Sequence, residues 1–448
     1  MFRKEYLTIC LISLLFTFSL LVVIPQIPIV VDNPYYKIDS FIGGYSFILP
    51  SGKLLDLKQF KTGLDVGGGT KVIFQAGISS PDEAEKTIQS LLAIFKNRMD
   101  QSGYYDYEVG VENISEKKVY VSLPNYVQTD YIKGLLTGSG RLVMKKLKDP
   151  GAWKIENAPE IINEPTSWVN SDLTEQDILN ILISKDASTG KTQMQLLLSV
   201  AGKQKFANLV KENVNKPIGI FVNDNQYPFA VPVISQNLAD SPGADPIITG
   251  TMPVEALKEL ILQMKTGPLP VLVTFVETTS VGSTLGTNFI YNYGIALLAA
   301  LLLIFSLFII KFRLLGVVYN WSLMVSLIVF SAVSKLVSLV VNVPSIIGVL
   351  IFLFMLTDVG YLLLKKLKVE KSDEKPFDLA LFQTFEKYKG SVVAIGILTV
   401  VAAFVIMNFS SGEIKSFSVA LSIGMFSLLV NYFLISRNLL DVFGRKKK

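Results

Sequence analysis

Asp358 lies inside an otherwise uncharged apolar run, Pro344 to Leu364, long enough to cross a bilayer. A carboxylate at that depth costs roughly 2.5–3.5 kcal/mol on insertion scales, so it persists only where it is paired, hydrated or used. The chain contains no histidine, which leaves an aspartate as the natural candidate for a proton relay within the membrane. The plainer alternative is a structural polar residue, kept protonated by burial and hydrogen-bonded to a neighbouring helix. The single cysteine, Cys10, excludes an intrachain disulfide. No nucleophile–base pair and no haem, zinc or iron–sulfur ligand set stands out. No enzyme activity, no cofactor and no metal is therefore expected.

The elements around Asp358 are those of a membrane protein. Half of the 448 residues are hydrophobic, and the mean hydropathy is +0.45. A first apolar run, about Tyr6 to Ile24, follows Arg3 and Lys4. It suits a cleaved signal or a retained anchor; its length, and the lack of an Ala-x-Ala site after it, favour the anchor. Five further apolar runs lie near 291–310, 314–333, 344–364, 391–408 and 416–435. The net charge is only +5, but the basic residues cluster at Arg3/Lys4, Lys311/Arg313, Lys365/Lys366/Lys368 and Arg445–Lys448. Under the positive-inside rule these clusters mark cytoplasmic ends, with Lys335 and Lys415 the outer exceptions. Six transmembrane helices then place both termini in the cytoplasm and the polar stretch after the first span outside it. The expected location is the cytoplasmic membrane, with multiple passes.

That polar stretch alternates strand and helix signals. Lys71-Val-Ile-Phe reads as a strand and Pro81 to Met99 as an amphipathic helix, with Ile88, Leu91, Leu92, Ile94 and Phe95 at helical spacing. Pro81-Asp-Glu-Ala-Glu supplies an acidic first turn. A strand at Lys118–Leu123, a helix at 127–137 and a strand at Arg141–Met144 complete the order of an α+β, ferredoxin-like domain. Further signals are strand Thr192–Val200, helix Gly202–Val214, strand Pro217–Val222, strand Ala230–Ile234 and helix Val254–Met264. The first three, within about 145–225, read as an inserted second lobe, and the last two as the return into the base. The expected division is a first transmembrane helix at 1–25, an extracytoplasmic domain at 26–285, a five-helix region at 286–437 and a basic tail at 438–448. Within the domain, a base of 26–144 and 226–285 would carry an inserted head lobe of 145–225.

Gly63-Leu-Asp-Val-Gly-Gly-Gly69 is not a phosphate loop: no Gly-Lys-Ser/Thr follows and no helix is expected to begin there. Its glycines point to a bulge or to close approach of another strand. Gly190-Lys-Thr192 lacks the upstream glycine of a phosphate loop and reads as a hairpin turn. Tyr104, Tyr105 and Tyr107 read as lobe packing rather than as a substrate surface. Nothing points to nucleic acid, and the basic tail reads as an anchor beside anionic membrane lipid.

Gly63, Leu64 and Asp65 with Gly68 and Gly69 resemble the Gly-Leu-Asp-Leu-x-Gly-Gly signature that opens the exported domain of the SecD family of bacterial preprotein translocase subunits. Other segments resemble that family in order. They include Lys96–Gly103, Val119–Pro124, Gly202–Ala207, Val231–Ile234, Gly267–Pro270 and Ser280-Val-Gly-Ser-Thr-Leu-Gly286 with its Gly282, Leu285 and Gly286, and finally Ser411–Ser418 and Ser436-Arg437. The resemblance covers nearly the whole chain. It implies membership of the RND superfamily and a proton-motive-force-driven role in late protein export. It also implies three partners: a SecF-like six-span subunit, the Sec channel of SecY, SecE and SecG, and an unfolded preprotein held by the outer domain. Asp358 aligns with the aspartate of the family's Asp-Ala-Asn motif in the fourth span. Here the triplet is Asp358-Val-Gly360, without the asparagine, and no acidic counterpart of the family's second such motif lies between Ser391 and Asn408. Two rival readings are an RND-type exporter of small molecules or lipid, and a degenerate SecD scaffold without proton coupling. One external domain and six spans, rather than two and twelve, favour the translocase reading.

Overall fold

The computed structural model describes residues 2–33, 36–48, 54–79, 83–151, 153–154, 158–185, 190, 192–223, 225–236, 245–250, 254–372, 375–410 and 412–444. The acidic turn at Pro81 and Asp82, Lys191 of the hairpin, Ser411 and the basic tail from Arg445 lie outside these residues.

The chain opens with helix α1 (Phe2–Val23) and two small hairpins, β1 (Ile27–Asn33) with β2 (Tyr36–Ile42) and β3 (Ser46–Ile48) with β4 (Leu54–Asp56). A two-residue strand β5 (Lys61–Thr62) precedes a one-turn helix α2 (Leu64–Gly67), in the place where no helix was expected. The base follows: β6 (Gly69–Ala76), α3 (Ala84–Gln101), β7 (Glu108–Asn113), β8 (Lys118–Pro124) and α4 (Thr129–Thr137). In α3 the side chains of Ile88, Leu91, Phe95 and Met99 recur on one face and are buried, as the helical period demands. In β8 the alternate residues Val119, Val121 and Leu123 are fully buried against the same core.

After α4 the chain leaves the base. The head contains β9 (Leu142–Leu147), α5 (Ala158–Ile162), β10 (Trp168–Asn170), β11 (Ile178–Lys185), β12 (Thr192–Leu198), α6 (Val200–Glu212), β13 (Ile218–Val222), β14 (Ile247–Gly250) and α7 (Val254–Thr266). Its strands form two three-stranded sheets, β10-β9-β13 and β11-β12-β14. Ser199 caps α6, its hydroxyl accepting the Gly202 N–H at 3.0 Å. The chain then returns as β15 (Val273–Val281), which pairs antiparallel with β6.

Two expectations are corrected here. The segment Arg141–Met144 does not supply the fourth strand of the base sheet; β9 lies between β10 and β13 in the head. The base sheet has the order β15-β6-β8-β7, so the strand that completes it comes from beyond the head. The head is also larger than 145–225: one core joins Leu142 and Met144 to Ile248, Leu257 and Leu260. The reason is the point of departure. Gly140 (φ +76°) and Gly267 (φ +93°) turn the chain out of and back into the base. Segment 230–234 forms only the isolated bridges Ala230–Ile220 and Val233–Pro217, not a full strand.

Among the described residues, five helical segments are long and apolar enough to cross a membrane. They comprise α8 (Phe289–Phe312), α9 (Leu314–Leu336), α10 (Val343–Ser372), α11 (Phe377–Phe409) and α12 (Ile414–Val430), the last continuing through a π-helical turn, Asn431–Ser436, into α13 (Arg437–Phe443). The described apolar part of α1, Leu7–Val23, is shorter, and its Ile12 joins the core of the other five. A two-residue strand β16 (Val340–Val341) before α10 pairs in parallel with β5.

Candidate functional site

Asp358 is exposed on α10. Its side chain forms no hydrogen bond or ion pair among the described residues. It continues a stripe of exposed apolar residues, Ile347, Leu350, Ile351 and Phe354, the last 72 % accessible. Residues two apart on a helix differ by about 200°, so Gly360 faces the other way, into the bundle. There a Cβ would lie 2.0 Å from Cε1 of Tyr319. Tyr319 is fully buried, and its hydroxyl donates to the Leu356 carbonyl at 2.8 Å. The position where the resembling family has asparagine is thus filled by a tyrosine ring from α9. Asp358 gains no partner from it.

The glycine-rich segment does different work. Gly63 donates its N–H to the Val341 carbonyl at 2.8 Å, extending the β5–β16 pairing. Asp65, in α2, accepts the Val343 N–H at 2.6 Å and so holds the first residue of α10. Gly68 (φ +64°) and Gly69 are sites of close approach: a Cβ would lie 2.5 Å from the Val281 carbonyl oxygen at Gly68 and 2.0 Å from that of Leu123 at Gly69. Leu64 is buried. The second signature segment comes to the same place. The Leu285 N–H donates to the Asp65 carbonyl at 3.1 Å, and Gly286 (φ +86°) closes a turn onto Ser283 at 3.2 Å. Gly282 has open space around its Cα. The two signature segments, over two hundred residues apart, therefore meet at the N-terminal end of α10.

That end is a polar joint. Asn342 and Ser345 cap α10 reciprocally: Ser345 N–H donates to Asn342 Oδ1 at 3.0 Å and Asn342 N–H donates to Ser345 Oγ at 2.9 Å. Ser416 of α12 donates to the same Asn342 Oδ1 at 2.7 Å. Asp106 is wholly buried beside them, and neither of its carboxylate oxygens has a hydrogen-bond partner of normal geometry. A Cβ on Gly63 would meet Asp106 Oδ2 at 2.3 Å and Asp65 Oδ1 and Asn342 Cβ each at 2.8 Å. Only glycine fits there. Burial, then Glu413 and Asp65, push the Asp106 carboxyl up to about 7. Glu413 is raised too, by burial first and then by Asp65 and Glu108. Among the described residues no group of three or more acidic or sulfur and imidazole ligands has metal-site geometry.

Sequence reasoning missed Asp106, Asn342, Ser416 and Arg98. One signal was legible: Asn342-Val-Pro-Ser345 directly before an apolar run has the spacing of a cap. Arg98 occupies the apolar face of α3 and is wholly buried. Its Nη1 donates to the carbonyls of Leu135 (2.7 Å) and Gly138 (2.6 Å), and Nη2 to that of Gly267 (3.2 Å). It thus grips both strands of chain that lead to the head. Burial lowers the guanidinium to about 10, with Glu259 opposing. Tyr107 is buried in the base core and donates to the Lys96 carbonyl at 3.1 Å, while Tyr104 packs against that core. In the bundle, Asn431 and Ser436 of the π turn form a closed hydrogen-bond network with Ser322 and Ser326 of α9.

Comparison with known proteins agrees with this layout. Residues 159–271 match the family described as SecDF, P1 head subdomain. The chain is 25% identical over 392 residues to the protein translocase subunit SecD of Dictyoglomus turgidum, covering 85% of this chain and 89% of that protein. It is 24% identical over 407 residues to the protein translocase subunit SecDF of Brucella abortus, covering 88% of this chain but 52% of that one. A crystal structure of SecDF in its super-membrane-facing form has the same fold, with a TM-score of 0.75 at 21% identity, covering 98% of this chain and 57% of that one. The chain thus spans little more than half of these SecDF proteins. The P1 head match lies inside the two-lobed α+β domain that is joined to the helical bundle, and the comparisons as a whole support a chain similar to the SecD and SecDF protein translocase subunits.

Proposed function

We propose that this chain is an auxiliary subunit of the Sec protein translocase that uses the proton motive force to assist late export. In this reading it captures and releases preprotein on the outer side of the membrane. The observation that carries it is the joint: Asp358 lies on α10, and the outer end of α10 is bonded to the base through Val343–Asp65 and Val341–Gly63. Fifteen residues of helix, about 22 Å, separate Asp358 from that joint. A proton-driven displacement of α10 would reach the base as a rigid-body motion, and the base would carry the head.

The exposure of Asp358 supports a partner that covers it. The fused SecDF relative has nearly as much chain again beyond the matched region. We assign the complementary surface to a SecF-like subunit, and the assembly to a channel of SecY, SecE and SecG. Six spans with both termini cytoplasmic fit the packing of α1 along α9. Lys335, at the outer end of α9, donates to the Val23 carbonyl at 3.2 Å and so caps α1. The strand order β15-β6-β8-β7, with α3 and α4 as its crossovers, supports a ferredoxin-like base. On the same grounds the domain limits become a base of about 26–140 and 268–285 with a head of about 141–267.

The test is Asp358→Asn in cells, reading export of a secreted protein with the proton gradient intact. The proposal expects slowed export; unchanged export would favour the scaffold reading. Gly360 is the specific observation behind that second reading, because Tyr319 occupies the place of the family's asparagine.

A further inference from the structure

The basic end of the bundle contains a built concavity that the translocase reading does not use. A cavity of about 550 Å³ opens where α8 turns into α9, beside the last turns of α10 and the end of α13. Lys311, Arg313, Lys368 and Lys371 line it, and no acidic side chain does. Lys311 is held in place, donating to Tyr361 Oη at 2.7 Å. Arg313 makes the α8–α9 corner with a positive φ of +54° and lines the cavity there. The side chains of Arg313 and Lys368 have no ion pair or hydrogen bond among the described residues. The nearby carboxylate of Glu370 is already committed to Lys366 and Lys375.

This cavity adjoins a second of about 570 Å³, and Leu314 lines both. The second is almost wholly apolar, walled by Phe305, Ile309, Val317, Trp321 and Met324 with Leu439 and Phe443 across from them. Its polar residue Asn320 spends its amide on the Phe305 carbonyl at 2.9 Å. Along α9 the groove runs from Leu314 to Met324, about 15 Å at 1.5 Å per residue. That is half of a hydrocarbon core about 30 Å thick, hence the depth of one leaflet.

We propose that this pair of cavities binds one anionic phospholipid, its phosphate among Lys311, Arg313, Lys368 and Lys371 and one acyl chain in the groove. Free phosphate would satisfy the cations but leave the apolar groove unfilled. A zwitterionic headgroup would bring a cation into a pocket that already holds four. The site would fix the α8–α9 corner to the inner end of α10, the helix that carries Asp358. It needs only the bundle, and it stands whether or not Asp358 relays protons.

The experiment is native mass spectrometry of the delipidated full chain titrated with phosphatidylglycerol, with phosphatidylcholine, and with phosphatidylglycerol in the presence of inorganic phosphate. Expected are tighter binding of phosphatidylglycerol than of phosphatidylcholine, and a loss of about tenfold in the Arg313→Asn, Lys368→Gln double variant. Val317→Trp, which fills the groove without changing charge, should weaken phosphatidylglycerol as well. The control Lys387→Gln, Lys389→Gln should bind as wild type. Equal loss in the control, or equal binding of the two lipids, overturns the proposal in favour of diffuse surface charge. Displacement by phosphate at matching concentration overturns it in favour of a simple anion site.

Discussion

Asp65 accepts the backbone N–H of Val343 at 2.6 Å, joining the one-turn helix of the base to the first residue of the span that carries Asp358. A carboxylate at a helix N-terminus satisfies an orphan donor and complements the helix dipole, together about 1 kcal/mol. Asp65→Ala should therefore lower stability by about that amount while leaving the fold intact. It should impair export by much more than so small a loss explains, because it cuts one of the bonds that link the span to the base. Thermal melts set beside export rates check this; an export defect that merely tracks the melting temperature would reduce Asp65 to a structural cap.

Asp106 gives the joint a pH dependence. Its folded value, about 7, lies above the ordinary carboxyl value because burial, Glu413 and Asp65 all disfavour the anion. Between about pH 4 and pH 7 the folded state thus holds a proton that the unfolded state has released. Stability falls as pH rises through that window, and the full penalty is present above it. Asp106→Asn should flatten the curve, melting higher than wild type at pH 8 and alike near pH 4. Parallel curves for the two proteins would assign the proton to another group.

Gly360 and Tyr319 should behave as a coupled pair. A methyl at Gly360 would fall 2.0 Å from the tyrosine ring, so Gly360→Ala should cost about 1–3 kcal/mol or more through overpacking. Tyr319→Ala alone should also destabilise, by opening a cavity. The double variant should be less damaged than the sum of the two, a coupling readable from a double-mutant cycle in chemical or thermal denaturation. Additive losses would mean that the ring relaxes without cost.

Arg98 should hold the head to the base. Arg98→Ala takes the Arg98 donor from the carbonyls of Gly138 and Gly267, and leaves that of Leu135 with only the longer side-chain bond from Gln263 Nε2 at 3.4 Å, at a cost of about 1–3 kcal/mol for each that stays buried and unsatisfied. Proteolysis should then appear first at 138–141 and 266–268, where Gly140 and Gly267 turn the chain. Cleavage spread evenly over the domain would mean that Arg98 supports the base core rather than the hinge.

The long spans, the base strands β6 and β8 and the helix α3 were legible in the sequence because each is set by local periodicity: a 20-residue apolar run has no soluble alternative, and alternate residues in β8 have one buried face. Asp358 stood out for the same reason, as a charge in an apolar window. The strand that completes the base was misread, because Arg141–Met144 and Val273–Val281 are both good strands and only the path of the head decides which pairs with β6. The short helix α2 was missed because four residues carry no period.

The site followed the same division. From the residues alone came the chemistry: a lone carboxylate in a span without histidine, and glycines that pointed to a bulge or to close approach of another strand. Tertiary structure alone decided that Gly63–Gly69, Ser283–Gly286, Asp106 and Asn342 converge at the mouth of α10. It also turned Asp358 outward while Tyr319 fills the space at Gly360. Composition and spacing report what a residue costs where it stands, but the partners that repay the cost come from segments hundreds of residues away, and only packing brings them together.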